Sequence, residues 1–340
     1  MTEFDLIEQI FNQKQGLPNQ SDIQKGIGDD AAVTSLPIGA RLVSCIDTLV
    51  QGRHFSGDWN DIERLAFAIG YKSVAVNVSD IAAMGAAPHS LLLALALPER
   101  LAKKSWLSEF AQGIFHACNA FDIALIGGDT TRSEQLVISV SAQGILTKDA
   151  TPIYRSGAKV GDKVYVSGTL GDASFALKNP DSEIGKSLRH RLDMPTPRAA
   201  LGQSLGKMAT GAMIDISDGL YQDLSHICQQ SGVDMVINLE KLPTSSELAK
   251  AELTERLRCQ LTGGDDYELA FTLPANIAPP DGNTKVTCIG EVIAKQDDTT
   301  ANLNAPSQPQ LFYKGLRLSD LNPAPFDKLP PLSGYQHFNS

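Results

Sequence analysis

The chain has 340 residues, and its 39 Asp plus Glu outnumber its 29 Lys plus Arg, for a formal net charge of −10 at pH 7. That balance argues against a nucleic-acid or anionic-membrane surface, because each requires a basic footprint. With 42% hydrophobic and 20% charged residues the sequence is neither a disordered chain nor a coiled coil, and its length suits two domains.

Thr2 with Asp5 forms a capping-box pattern, and Phe4, Ile7 and Phe11 then share a helical face, which predicts a short helix over 3–13. Two strands are expected at 31–35 and 41–48, joined by the turn Pro37-Ile38-Gly39-Ala40. A long helix follows from Asn60, stopped by Met84-Gly85 and Pro88. The apolar run 89–97 reads as a strand buried on both faces. A second helix spans 103–120, with Leu107, Phe110, Ile114, Phe115 and Cys118 inward, and strands at 123–126 and 136–146 complete the first half. The Gly/Pro/Lys-rich stretch 147–162 reads as a domain boundary. Beyond it, helices near 171–178, 197–209 and 219–231 alternate with strands at 163–167 and near 212–216, 234–238, 266–273 and 285–291. The polar segment 293–310 reads as a loop, and the aromatic residues of the tail from 311 as packing elements. The class is α/β (α+β), with mixed sheets flanked by helices.

The five cysteines are odd in number, widely spaced and free of any Cys-x-x-Cys, so neither a disulfide scaffold nor a zinc site is indicated. The start, Met1-Thr2-Glu3-Phe4-Asp5, lacks a signal peptide's basic and apolar regions, and the longest apolar run, Leu91 to Leu97, is too short to span a bilayer. A soluble, cytoplasmic protein is expected.

Acids beside glycine recur at the ends of these elements: Gly26-Ile27-Gly28-Asp29-Asp30, Gly127-Gly128-Asp129-Thr130-Thr131, Asp215-Ile216-Ser217-Asp218-Gly219 and Gly263-Gly264-Asp265-Asp266-Tyr267-Glu268. Asp47 and Asp80 end two further apolar segments. The ten carboxylates of these motifs equal the chain's acidic excess, so outside them it is formally balanced. Acids at strand ends project into the crevice where open α/β sheets bind ligands. Brought together, they repel unless cations lie between them, and hard oxygen donors favour Mg²⁺ held jointly with substrate phosphates. Each Gly-Asp pair alone is also ordinary turn chemistry, and Asp218 reads equally well as the cap of the helix from Gly219. The set as a whole carries the ligand reading. There is no Gly-x-x-x-x-Gly-Lys-Ser/Thr loop and no protein-kinase signature, so a nucleotide-using enzyme built on this chain holds phosphates largely through metals.

In this order the motifs resemble the thiamine-monophosphate kinase family, within the ATP-binding superfamily typified by aminoimidazole ribonucleotide synthetase. The stretches 77–86, 127–132 and 214–220 are the most characteristic, and the likeness runs from Gly26 to the tail at 334–338. It implies phosphorylation of thiamine monophosphate by ATP and several Mg²⁺ ions on Asp30, Asp47, Asp80, Asp129, Asp215 and Asp218. It implies ATP contacts from Gly128, Asp129, Arg155 and Ser217, and substrate contacts from His54, Asp265 and Tyr335. Asp129, Asp215 and Arg155 are the expected catalytic groups. It further implies a domain of residues 1–150 that binds metal and ATP and forms a homodimer, and a domain of residues 151–340 that completes the ATP and substrate site. Two departures stand out: Cys45-Ile46 where the family often has Ser-Thr, and Asp265 where it usually has Glu.

The chemistry this implies is simple. The acceptor phosphate, with its second pKa about 6, is already nucleophilic at neutral pH and needs no general base. The barrier is repulsion between phosphates, which metal ions and a bidentate Arg155 relieve. Direct transfer without a phosphoenzyme follows. A metal-dependent nucleotide sensor and a phosphohydrolase are the competing classes, and neither needs an acceptor site.

Overall fold

The computed structural model describes residues 10–11, 21–208, 211–296 and 306–318. It divides into two compact units, Met1–Ala82 with Ala86–Ala150, and Ala83–Gly85 with Thr151–Ser340. The helix expected at 3–13, Tyr335 and most of the tail lie outside the described residues, although Ile10 and Phe11 are buried.

The first unit opens with a small antiparallel pair, β1 (Ile23–Lys25) and β2 (Val33–Thr34). Its main sheet contains β3 (Arg41–Val50), β4 (Ala87–Leu97), β5 (Ala124–Arg132) and β6 (Val137–Leu146), in the order β3-β6-β4-β5. Only the β4/β5 pair is parallel. The two strands expected on either side of Pro37–Ala40 are therefore not a hairpin: β2 pairs with β1 and β3 with β6. Between them Leu36 and Ile38 are exposed, and Pro37 has no backbone N–H to give to a ladder.

The helix expected from Asn60 is two helices, α1 (Trp59–Arg64) and α2 (Ala66–Ala83). Asp58 caps α1 by accepting the Asn60 N–H at 2.7 Å, and the chain leaves helical geometry at Leu65 (φ −98°, ψ 16°). Helix α3 (Lys104–Phe121) follows β4. Its Trp106 indole donates to the Ile62 carbonyl at 3.0 Å, which fixes α3 to α1. Helices α2 and α3 cross with their backbones nearly touching. A Cβ on Gly70 would overlap the Phe110 carbonyl oxygen, and one on Gly113 the Phe67 carbonyl oxygen.

The sheet has one covered face and one open face. Leu91, Leu93, Leu95 and Leu97 of β4 are buried, whereas Leu92 and Ala94 are exposed, as are Leu42 and Ile46 of β3. The expectation that β4 is buried on both faces therefore fails from Leu92 onward, since helices cover one side only.

The second unit holds a seven-stranded sheet of β7 (Lys163–Ser167), β8 (Met213–Ile216), β9 (Val233–Asn238), β10 (Glu268–Leu273), β11 (Val286–Ala294), β12 (Pro309–Tyr313) and β13 (Leu316–Arg317). The order is β13-β12-β9-β11-β7-β10-β8, antiparallel except for β9/β12. Its helices are α4 (Asp172–Lys178), α5 (Glu183–Asp193), α6 (Ala199–Met208), α7 (Leu220–Ser231) and α8 (Leu253–Thr262). Leu220, Leu224, Ile227 and Cys228 bury one stripe of α7 against Ile214, Ile216, Met235 and Ile237 of the sheet. A satellite core joins α4, α5 and α8 through Phe175, Leu188, Leu192 and Cys259. The segment expected as a loop over 293–310 begins and ends in strands. Its two ends are tied to one buried carboxylate: Asp234 accepts the Gln296 N–H at 2.9 Å and the Gln308 N–H at 3.0 Å.

Candidate active site

In the first unit, strand register separates the candidate acids onto two faces. Thr48, Ser139, Ala94 and Asp129 stand opposite one another across β3, β6, β4 and β5. Residues in register share a face, so Asp129 belongs to the open side with exposed Ala94. The neighbouring row is Asp47, Val140, Leu93 and Gly128, whose Val140 and Leu93 are buried in the core. Asp47 therefore points to the helix-covered side and hydrogen-bonds the Asp80 carboxyl on α2.

Asp30 and Asp129 line a cavity of about 1230 Å³ on the open face, with Ser44, Leu92, Ser139 and Gln143. Gly127, Gly128 and Asp129 lie inside β5 rather than in a turn. Glycine is required at 128 by close packing, because a Cβ would overlap the Leu93 carbonyl oxygen on β4. The Asp29 carboxylate, beside Asp30, is held below the usual carboxylate range, first by the Asp30 N–H and then by Lys25. His54 sits in the turn after β3, where its Nδ1 accepts the Val50 N–H at 3.0 Å. That bond places the proton of the neutral ring on Nε2.

The second unit unites two motifs that lie far apart in sequence. Strand β8 delivers the buried Asp215 and runs into the turn Ser217-Asp218-Gly219, from which α7 departs. Strand β10 pairs with β8, Leu269 opposite Asp215. The backbone ahead of β10 continues this contact: Asp265 N–H donates to the Ser217 carbonyl at 2.9 Å, and Tyr267 N–H to the Ile216 carbonyl at 2.8 Å. Asp218 is not the helix cap. Gly219 occupies that position, and the Asp218 carboxylate accepts from the Gln222 amide at 3.1 Å.

The strap bearing Asp265 is strained and clamped. Asp265 and Tyr267 both adopt left-handed backbone (φ 69° and 50°), a conformation that costs about 1–2 kcal/mol per residue. Between them, buried Asp266 accepts the Gly171 N–H at 3.0 and 2.8 Å on its two oxygens, and burial raises its carboxyl well above the usual range. Next, fully buried Glu268 accepts from Ser167 Oγ at 2.6 Å, Arg191 at 2.8 Å and Arg198 Nε at 2.6 Å. Such strain persists only where surroundings over-determine it, and it concentrates at functional sites. The Tyr267 hydroxyl donates to Asp265 Oδ1 at 3.2 Å and orients that carboxylate.

Arg155 lies exposed in a single 3-10 turn whose carbonyl accepts from Ser231 Oγ at 2.8 Å, at the end of α7. His226 on α7 is depressed by partial burial and then by the positive charge of Arg155, while Asp218 opposes the shift. Arg155, His226 and Asp218 thus form one patch. His226 and Asp223, the latter also part of the Asp218 turn, were not singled out in the sequence, and Tyr267 stood there only as a member of the 263–268 motif. Asp223 left a signal as an acid in the first turn of a helix.

The family model described as AIR synthase related protein, N-terminal domain, matches residues 28–146. The thiamine-monophosphate kinase of Haemophilus influenzae is 39% identical over 324 residues, covering 91% of this chain and 94% of that one. The chain belongs to the thiamine-monophosphate kinase family. A crystal structure of the thiamine-monophosphate kinase from Stenotrophomonas maltophilia superimposes with a TM-score of 0.76 at 38% identity, over 93% of this chain and 97% of that one. The structure of AaThiL complexed with AMPPCP and TMP gives 0.71 at 30% identity, over 98% and 96%. The fold is thus the two-domain, aminoimidazole ribonucleotide synthetase-like fold of thiamine-monophosphate kinases.

For a thiamine-monophosphate kinase the departure at Cys45 has a structural counterpart. The Cys45 thiol donates to the Asn77 carbonyl of α2 at 3.5 Å, and burial, then Asp80 and Asp47, push its pKa up. The thiol packs β3 against α2. Burial raises the Asp47 carboxyl, and its hydrogen bond with the Asp80 carboxyl partly offsets that rise. Among the described residues no three His, Cys, Asp or Glu side chains stand close enough to hold an ion as a group. Two paired hard carboxylates nevertheless fit Mg²⁺, which completes its shell with waters and phosphate oxygens.

Proposed function

We propose that the chain transfers the γ-phosphate of ATP to thiamine monophosphate, giving thiamine diphosphate and ADP, with Mg²⁺ as the essential cation. It is an ATP-dependent phosphotransferase with a phosphate group as acceptor. The observation that carries this reading is the relationship to a thiamine-monophosphate kinase across 91% of the chain.

Asp47 and Asp80 would hold one Mg²⁺ on the helix-covered side of the sheet, and Asp30, Asp129, Asp215 and Asp218 are candidate ligands of further ions. When bound, Mg²⁺ neutralises the facing phosphates and supports in-line displacement. The acceptor oxygen arrives ionised, so the protein supplies position and charge rather than a base. Arg155 and Ser217 contact the nucleotide phosphates, Arg155 as a bidentate donor. Gly128 borders the nucleotide. His54 presents Nε2–H to a substrate phosphate. Asp265, oriented by Tyr267, faces the cationic thiazolium, and Tyr335, outside the described residues, offers an aromatic face for stacking. Asp265 is one methylene shorter than Glu, and the strained strap compensates by fixing its direction.

Residues 1–150 form the metal-binding, dimer-forming domain, and residues 151–340 the domain carrying Arg155, Ser217 and Asp265. Exposed Leu42, Ile46 and Leu92 on the open sheet face support a homodimer through that face. The described residues include no helix long and apolar enough to cross a membrane, and all five cysteines are free thiols, which supports a reducing, cytoplasmic setting.

Incubating the pure protein with ATP, Mg²⁺ and thiamine monophosphate is expected to yield thiamine diphosphate, and Asp129→Asn or Asp215→Asn to abolish it. Nucleotide binding without product would overturn the reading in favour of a sensor. Phosphate release without an acceptor would favour a hydrolase.

A further inference from the structure

Three successive backbone N–H groups converge on one side-chain oxygen in the second unit. Asp223 Oδ2 accepts from Ser217 N at 3.1 Å, Asp218 N at 3.2 Å and Gly219 N at 3.1 Å. Successive amides aimed at one point form an anion nest, and at a helix N-terminus such a nest ordinarily takes a ligand phosphate. Here the helix fills it with a carboxylate from its own first turn. The filling group is buried although the charges of Asp215 and Asp218 lie close to it.

The result of this arrangement is visible in exposure. Residues 212–216 and 219–220 are buried, while Ser217 and Asp218 alone in this stretch are half-exposed. The carbonyl side of the turn is fixed from β10 through Asp265 N–H on the Ser217 carbonyl. Asp223 fixes the amide side.

We propose that Asp223 is a positioning residue for phosphoryl transfer: by occupying the nest it denies the backbone amides to phosphate and holds the turn so that Ser217 and Asp218 present their side chains instead. The proposal rests on the kinase reading above. It adds a residue that touches neither nucleotide nor metal and acts only through the turn.

The test compares Asp223→Asn, Asp223→Glu and Asp223→Ala with wild type, measuring kcat, both KM values, AMPPCP binding with Mg²⁺ by calorimetry, and Tm. Asparagine keeps an acceptor oxygen at the same distance, so kcat within about fivefold of wild type is expected. Glutamate displaces the turn by a bond length and alanine leaves three amides unsatisfied. Each is expected to lower kcat about 100-fold and weaken AMPPCP binding about tenfold, with KM for thiamine monophosphate unchanged. Should the alanine variant fail to fold, the asparagine–glutamate contrast carries the comparison alone. Wild-type kcat in the glutamate variant overturns the proposal, as does an asparagine variant as impaired as glutamate. If wild type makes no thiamine diphosphate, the functional reading itself fails and takes this proposal with it. An active wild type with indifferent variants overturns the positioning role alone.

Discussion

Asp47 and Asp80 illustrate how a single pair can be poor for stability and good for a ligand. Their hydrogen bond requires a proton, and burial raises Asp47 above its ordinary value of 3.8. The sign follows from linkage. A carboxyl raised in the folded state binds more protons there than in the unfolded chain, so its contribution falls as pH rises through the folded pKa. The penalty is fully present above that pKa and vanishes below the unfolded one. Asp47→Asn, whose amide can donate to Asp80 without a proton, is therefore expected to raise the Tm of metal-free protein by roughly 2–5 °C at pH 7.5. The gain should shrink toward zero near pH 4, and activity should be lost. Thermal melts in a chelator across that range check it, and a variant less stable than wild type at pH 7.5 would refute the account. These acids were legible in the sequence because apolar strands and helices lead into them. Their pairing was not. Asp47 and Asp129 looked equivalent as strand-end acids, and only the register Asp47–Val140–Leu93–Gly128 places one on each face of the sheet.

At the scale of elements, the crossing of α2 and α3 depends on two glycines with no room above them. Gly113→Ala gains about 1 kcal/mol of helix propensity but drives a methyl into the Phe67 carbonyl, a backbone atom that cannot rotate away. The clash wins, and a Tm lower by roughly 5–10 °C is expected by calorimetry. An unchanged or raised Tm would show that the helices can separate freely. Periodicity revealed α3, with Leu107, Phe110, Ile114 and Cys118 as its buried stripe, and strand β7 over Lys163–Ser167. It missed α5 and α8. Of the eleven residues of α5 only Gly185, Leu188 and Leu192 are buried, too sparse a stripe to register against Lys186, Arg189, His190 and Arg191. Missing α5 hid Arg191, and with it the clamp on Glu268 that holds the strained strap.

For the whole molecule, the acidic excess is now distributed among distinct environments rather than gathered in one. Some carboxylates are pure architecture, such as Glu268 between Arg191 and Arg198, and Asp266 on the Gly171 amide. Others, such as Asp30, are exposed toward a cavity. Composition could count them but not sort them. The open sheet face is the other whole-molecule feature, because an apolar surface carrying Ile46 at 66% exposure is costly to leave in water. Ile46→Glu is expected to convert a dimer to monomers at micromolar concentration, read by sedimentation velocity with far-ultraviolet circular dichroism unchanged. A monomeric wild type, or a variant that still dimerises, would dismiss this face as the interface.

The fastening at Asp234 has a consequence for the history of such a chain. One carboxylate grips the backbone at Gln296 and again at Gln308, so strands β11 and β12 keep their places whatever length of chain runs between those two points. Closing a longer loop costs only about 0.6 kcal/mol per doubling. Insertions and deletions arising between the two grips leave the seven-stranded sheet's register untouched. For a lineage this is ground open to drift, and for an engineer it is a grafting point.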